Sequence, residues 1–227
     1  MCFDVSAACS GFITALDIAA SMLKAGSYKY ALVIGSEKMS EIVNWKDRSV
    51  CVLFGDGAGA VVLKAVDNNT EDVTGALVGH ERGIIDSNIY NDGTGASVLT
   101  GGRRFSDSCS TDIFIHMDGQ EVFKFAVKSV PTAIETLLHN NNMDINEVDK
   151  FILHQANVRI IESVAKRLKA DKDKFPVNLN EYGNTSSASI PILLDELNRN
   201  GSLKQGEKLV LAGFGAGLSW GSILLVW

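Results

Sequence analysis

The stretch Asp4-Val5-Ser6-Ala7-Ala8-Cys9-Ser10-Gly11-Phe12 reads as a buried strand end that turns sharply into a helix, with a cysteine at the turn. After it, Phe12, Ile13, Leu16, Ala19, Ala20 and Leu23 recur at helical spacing, and Gly26 supplies a stop before the strand-like Tyr30-Ala31-Leu32-Val33-Ile34. Cys9 is therefore expected at a helix N-terminus. There, free N–H groups and the positive end of the helix dipole favour thiolate and lower a reference pKa of about 8.5. A small core residue, the usual fate of a free cysteine, competes with the nucleophile reading, and on this stretch alone the two stand level.

Working outward, residues 50–54 read as a strand, followed by a glycine turn and a second strand over 58–66. The turn Gly55-Asp56-Gly57-Ala58-Gly59 resembles a dinucleotide loop only superficially, because Ala60-Val61-Val62-Leu63 continues as strand and no helix opens. The polar run 67–72 divides the chain into residues 1–72, which carry Cys9, and residues 73–227. The second part begins with a strand over 73–80. It continues through an irregular stretch, 82–111, long enough to be a functional loop. Ile113-Phe114-Ile115-His116 then leads to a helix over about 119–141 that Pro131 should kink.

Phe151-Ile152-Leu153 reads as a buried strand ending on His154-Gln155-Ala156-Asn157, and Ile160, Ile161, Val164, Ala165 and Leu168 mark an amphipathic helix after it. Gly183-Asn184-Thr185-Ser186-Ser187-Ala188-Ser189 opens another helix. A strand over 208–212, the loop Gly213-Phe214-Gly215-Ala216-Gly217 and a strand over 222–227 close the chain. Strands alternating with helices indicate an α/β layered fold.

Of the 227 residues 46% are hydrophobic and 21% charged, which allows a sizeable core and excludes a disordered or fibrous chain. The net charge of −6 argues against general nucleic-acid binding. The apolar runs are too short to cross a membrane, and Met1-Cys2-Phe3-Asp4 has no signal-peptide character, so a cytoplasmic protein is expected. Four cysteines without a C-x-x-C pair and four histidines without ligand spacing predict neither a disulfide scaffold nor a metal site.

Both ends of the chain repeat one order: small residues opening a helix, Gly-Ser after it, a strand, a glycine turn and a closing strand. The offset between Gly26-Ser27 and Gly201-Ser202 carries Cys9 onto Asn184, which would place the two at equivalent helix starts. Cysteine, histidine and asparagine can serve as thiolate nucleophile, neutral imidazole donor and amide donor. Taken singly, His154 also fits a satisfied buried histidine and Asn184 a helix cap. Papain-like proteases run Cys, His, Asn with the histidine about 130–150 residues downstream, a window that includes His154. Ala7-Ala8-Cys9-Ser10-Gly11 lacks their local signature.

The Cys9 stretch, Phe54-Gly55-Asp56-Gly57-Ala58-Gly59-Ala60, His154-Gln155-Ala156-Asn157, Gly183-Asn184-Thr185-Ser186-Ser187-Ala188-Ser189 and Gly213-Phe214-Gly215-Ala216-Gly217-Leu218-Ser219-Trp220-Gly221 resemble, in order, the β-ketoacyl-acyl-carrier-protein synthase III family of the thiolase superfamily. The resemblance implies a thiolase-like layered αβαβα fold of two duplicated halves, here with the first half incomplete. It implies an initiating condensing enzyme of fatty acid biosynthesis, a cytoplasmic homodimeric acyltransferase without metal or resident cofactor, whose substrates are acyl-CoA and malonyl-acyl-carrier protein. Cys9 would take an acyl group, typically acetyl, from coenzyme A. His154 and Asn184 would donate hydrogen bonds to the malonyl thioester carbonyl during decarboxylation, and the backbone N–H groups of Cys9 and Ala216 would form the oxyanion hole. Arg159 and Lys166, on one face of the helix after His154, would help dock the acidic carrier protein; their plain reading is a solvated helix surface.

Relatives are separated by the same residues. Residues 213–217 contain no second cysteine of the degradative thiolase kind, Asn184 stands where elongating synthases have a second histidine, and chalcone-type synthases usually lack His-Gln-Ala-Asn. In the family roughly a hundred residues precede the nucleophile strand. A missing N-terminal segment is thus an expected partner, and a non-catalytic fragment or scaffold is the competing function. A cysteine hydrolase is the third.

Overall fold

The computed structural model describes residues 1–66, 82–101 and 114–227. A single 3-10 turn, Ala8–Ser10, leads into α1 (Gly11–Lys24), followed by β1 (Tyr30–Glu37) and β2 (Gly57–Lys64). Next come β3 (Gly83–Asn91), the short pair β4 (Leu99–Thr100) and β5 (His116–Met117), α2 (Gly119–Asn140), β6 (Lys150–Leu153) and α3 (Val158–Leu168). The one-turn α4 (Leu179–Tyr182) precedes a second 3-10 turn, Ser186–Ala188, which runs into α5 (Ser189–Arg199); β7 (Lys208–Gly215) and β8 (Ser219–Val226) end the chain.

Two sheets organise these elements. β1 and β2 pair antiparallel, and a four-stranded sheet runs β3-β8-β7-β6, in which only β6 and β7 are parallel. Alternation along β7 explains the layering. Leu209 and Leu211 face one core with Phe12, Ile13 and Leu16 of α1, Val33 of β1, and Ile190, Leu193 and Leu194 of α5. Val210, Ala212 and Phe214 face a second core with Val130, Ile134 and Leu137 of α2 and Ile161 and Val164 of α3. The order across the molecule is therefore the β1–β2 sheet, α1 with α5, the four-stranded sheet, then α2 with α3. Each fully buried leucine, isoleucine or phenylalanine in these cores contributes about 1.5–3 kcal/mol of transfer free energy.

The middle helices are held close by small residues in β2. A Cβ on Gly59 would stand 2.9 Å from Pro191 Cβ and 3.0 Å from the Ile192 backbone nitrogen, so only glycine lets the strand lie against the start of α5. This is what the glycine cluster after Phe54 does in place of a dinucleotide loop. The opposite face of the same sheet carries Tyr30, Leu32, Ile34 and Val62 exposed to solvent.

Several expectations are corrected. Residues 50–53 are turns rather than a strand, and Phe54 makes only an isolated bridge to Asn184: the Asp47 side chain accepts from Ser49 N, and its carbonyl accepts from Val50 and Cys51, so turn chemistry overrides the apolar run. Residues 2–7 form no strand among the described residues. The stretch expected to be irregular from 82 onward contains the nine-residue strand β3, because its polar side chains find distant partners. Asn88 bonds Ser222 and the Ala133 carbonyl, and Asp86 accepts from Asn141. β7 extends through Gly215, leaving only 216–218 as the turn to β8.

The repeat is present with a shifted equivalence. In both copies a 3-10 turn with a left-handed first residue (Ala8 φ 46°, Ser186 φ 51°) opens a buried helix that leads to an antiparallel pair of eight-residue strands. α1 has 14 residues and α5 has 11. Aligning the helix starts rather than their ends puts Cys9 opposite Ser187, not Asn184, which lies just before the turn. The strand expected over 73–80, the boundary run 67–72 and Cys109 fall outside the described residues.

Candidate active site

β6 and β7 run parallel and end side by side, and their C-terminal ends deliver His154 and the turn after Gly215 to one edge of the sheet. The turn Ala8–Ser10 packs against β7, so Cys9 arrives at the same edge from the helical layer. Asn184 comes from the chain entering α5 and is fixed from both sides: its N–H donates to the Leu53 carbonyl, and its own carbonyl accepts from Gly55 N. Cys9, His154, Asn184 and Ala216 all line one cavity of about 330 Å³, with Phe214 and Glu37 among the other walls. The structure thus brings together the three side chains and the glycine turn singled out in the sequence.

The local chemistry is specific at each position. The Asn184 side-chain oxygen accepts from Ser186 N at 2.8 Å, which turns the amide so that its NH₂ group is the end left over. His154 is buried, with Nδ1 2.7 Å from Ser189 Oγ and the ring set edge-on to Phe214 at 5.3 Å. Burial pushes the imidazole down to about 3, against a smaller opposing effect of the Ser186 backbone, so His154 is neutral at physiological pH.

The thiol departs from expectation. Burial pushes Cys9 up to about 11, the hydrogen bond from Ser186 opposes this, and the Glu37 carboxylate adds to the rise. The expected thiolate is thus overridden in the free protein by desolvation, a property of the packed cavity rather than of the helix start. α1 nevertheless has no side-chain cap: the Ser10 hydroxyl contacts the Ala7 carbonyl at 2.7 Å and Ser219 Oγ at 2.6 Å instead. Ser219 Oγ in turn donates to the Ala216 carbonyl at 2.9 Å, so two hydroxyls join the nucleophile turn to the glycine turn.

That closeness depends on Gly215. A Cβ there would lie 2.8 Å from the Cys9 backbone nitrogen and 3.1 Å from Cys9 Cβ. The N–H of Cys9 is engaged with its own sulfur, which opposes the rise of the thiol, and Ala216, next to Gly215, lines the same cavity as Cys9. Backbone N–H groups at such a turn are the kind of donor an oxyanion hole requires.

Sequence reasoning missed Glu37 and the contact between Ser189 and His154. Glu37 ends β1 on the inward side of the strand, in phase with Val33 and Gly35, and accepts from the Ser187 backbone at 3.2 Å and the Ser187 hydroxyl at 2.5 Å. An acidic residue at the inward phase of a strand end was the available signal. Arg159 and Lys166 do not line the cavity; both are exposed on α3. The first turn of that helix reaches the cavity through Ile160, next to Arg159. Among the described residues no group of side chains could hold a metal ion, and no helix is long and apolar enough to cross a membrane.

Comparison with known proteins agrees along the chain. Residues 3–93 match the family described as 3-oxoacyl-[acyl-carrier-protein] synthase III, and residues 138–227 match its C-terminal part. The β-ketoacyl-[acyl-carrier-protein] synthase III of Clostridium acetobutylicum is 46% identical over 232 residues, covering all of this chain and 67% of that protein. The corresponding Clostridium botulinum protein is 46% identical over 234 residues, covering all of this chain and 68% of its own length. The chain thus spans about two thirds of these relatives. The crystal structure of the Aquifex aeolicus synthase III superposes with a TM-score of 0.88 at 44% identity, covering 99% of this chain and 67% of that one. A priming β-ketosynthase from the R1128 polyketide pathway superposes at 0.85 with 36% identity, covering 99% and 65%.

Proposed function

The chain belongs to the 3-oxoacyl-[acyl-carrier-protein] synthase III family, the initiating condensing enzymes of fatty acid synthesis, and from that premise we propose that Cys9, His154 and Asn184 carry the two half-reactions. In the first, the Cys9 thiolate attacks the carbonyl carbon of acetyl-CoA. The N–H groups of Cys9 and Ala216 stabilise the tetrahedral oxyanion, and its collapse expels the coenzyme A thiolate, leaving acetyl on sulfur. In the second, malonyl-acyl-carrier protein loses CO₂. The electron pair of the broken C–C bond passes into the thioester, whose oxygen accepts hydrogen bonds from neutral His154 and from the Asn184 amide. The resulting enolate carbon attacks the acetyl thioester, and the Cys9 thiolate leaves as the 3-ketoacyl product forms.

The observation that carries this reading is the convergence of a sulfur and two neutral side-chain donors on one cavity, with Ala216 of the glycine turn at its wall. Acetyl as the acyl group, and a cytoplasmic homodimer as the assembly, rest on family membership alone. The test is intact mass and peptide mapping after mixing the chain with acetyl-CoA. The expected result is acetyl on Cys9 that disappears on adding malonyl-acyl-carrier protein, with 3-ketoacyl-carrier protein formed. An unlabelled Cys9 overturns the reading in favour of a non-catalytic scaffold, and free acetate released without malonyl decarboxylation points to a cysteine hydrolase.

Arg159 and Lys166 are proposed to dock the carrier protein, supported by their exposure and by the neighbouring Ile160 at the cavity wall. Reversing both charges should raise KM for malonyl-acyl-carrier protein about tenfold, with the weakening greatest at low salt, and leave acetylation of Cys9 by acetyl-CoA intact. Steady-state kinetics with each substrate separately checks it; an unaltered carrier KM rejects the docking role.

A further inference from the structure

Ser189 is the first residue of α5 and is buried. Its hydroxyl oxygen lies 2.7 Å from His154 Nδ1 and 2.9 Å from the Ser186 carbonyl oxygen, and the Gln155 backbone N–H donates to it at 3.3 Å. A hydroxyl has one hydrogen and two lone pairs, so that hydrogen must go either to the ring or to the carbonyl. The Ser186 carbonyl already accepts the Ser189 backbone N–H that closes the 3-10 turn. Either placement satisfies every group, since the hydroxyl can also donate to that carbonyl while Nδ1–H donates to the hydroxyl oxygen; the donor role of Nε2 selects the one in which the hydrogen goes to the ring, and there the oxygen keeps its bond from Gln155.

We infer that Ser189 is a positioning residue: it donates its hydroxyl hydrogen to His154 Nδ1 and so holds the neutral imidazole as the tautomer with its proton on Nε2. The inference rests on the reading of His154 as donor to the malonyl thioester oxygen. In the opposite arrangement Nδ1–H donates to Ser189 and Nε2 presents a lone pair, which repels an oxygen gaining negative charge. The surroundings fix the pair in place. The Gln155 side chain donates to the Leu153 carbonyl at 2.8 Å and accepts from Asn178 N at 3.3 Å, which locks the backbone that supplies the N–H to Ser189. Phe214 packs edge-on against the imidazole with 69° between the rings, limiting its tilt.

The experiment combines nitrogen-15 NMR of the histidine-labelled chain with kinetics of Ser189→Ala, Ser189→Thr and His154→Ala. The wild-type spectrum, assigned by the signal lost in His154→Ala, should show the His154 proton on Nε2 and a hydrogen-bonded lone pair on Nδ1. Ser189→Ala should slow decarboxylation of malonyl-acyl-carrier protein about tenfold or more, with its KM and the rate of Cys9 acetylation within about twofold of wild type; Ser189→Thr, which keeps the hydroxyl, should recover most of the loss. A proton on Nδ1, wild-type decarboxylation in Ser189→Ala, or equal losses in both half-reactions overturns the inference. If Ser189→Ala does not fold, the wild-type spectrum decides. Normal decarboxylation by His154→Ala would instead remove the donor reading itself, whereas a dead His154→Ala beside an unaffected Ser189→Ala removes only the role of Ser189.

Discussion

Replacing Cys9 by alanine should abolish formation of the 3-ketoacyl product, by about four orders of magnitude or more, while decarboxylation of malonyl-acyl-carrier protein persists. The two activities separate because their groups stand on different elements. Cys9 belongs to the turn before α1, whereas His154 follows β6 and Asn184 precedes α5. Removing one sulfur disturbs neither the bond that fixes the Asn184 amide nor the contact between His154 and Ser189. Retained condensation by Cys9→Ala would exclude the covalent route. In the wild type the thiol, held at about 11, is ionised to about one part in ten thousand at pH 7. The thiolate fraction of a raised thiol grows with pH, so acetylation should quicken about tenfold per pH unit above 7. A pH-independent rate between 7 and 9 would mean that substrate binding has already ionised the sulfur.

Asn184→Asp should lower malonyl decarboxylation by about 10²–10³ and leave acetylation of Cys9 within a few-fold of wild type. The substitution is nearly isosteric, and a carboxylate can still accept from Ser186 N, so the turn into α5 keeps its anchor. What disappears is the NH₂ donor. A negative oxygen replaces it where the mechanism requires charge to be stabilised, so the change is more damaging than loss of a hydrogen bond alone. Radiolabelled CO₂ release measures the decarboxylation, and denaturant unfolding shows whether the fold is intact. Full CO₂ release from Asn184→Asp would rule out the amide as a donor.

Much of this architecture is legible locally. Helical spacing marks α1 through Phe12, Ile13 and Leu16, and α3 through Ile160, Ile161 and Val164, because each buries one stripe. β3 is not legible, since Asp86 and Asn88 are tolerated in a strand only because Asn141, Ser222 and the Ala133 carbonyl wait for them elsewhere in the chain. The run 50–54 misleads for the opposite reason: it is apolar, yet one aspartate upstream organises residues 50–53 as turns. Within the site, Cys9, His154 and Asn184 are visible as residue types at element ends. The ionisation of Cys9 is not, because the helix start argues for thiolate and only the packed cavity supplies the larger opposing effect.

The two copies of the helix–hairpin unit carry different groups at matching helix starts: sulfur at Cys9, which lines the cavity, and a hydroxyl at Ser187, which donates to Glu37 of the cavity wall. Had the same arrangement been assembled from two identical chains, any mutation making one start more nucleophilic would have altered the other in step, placing two thiols or two hydroxyls at one site. Continuity of the polypeptide removes that constraint. Each copy can then change its helix start without the other, which is how a thiol at one and a hydroxyl at the other coexist in one chain.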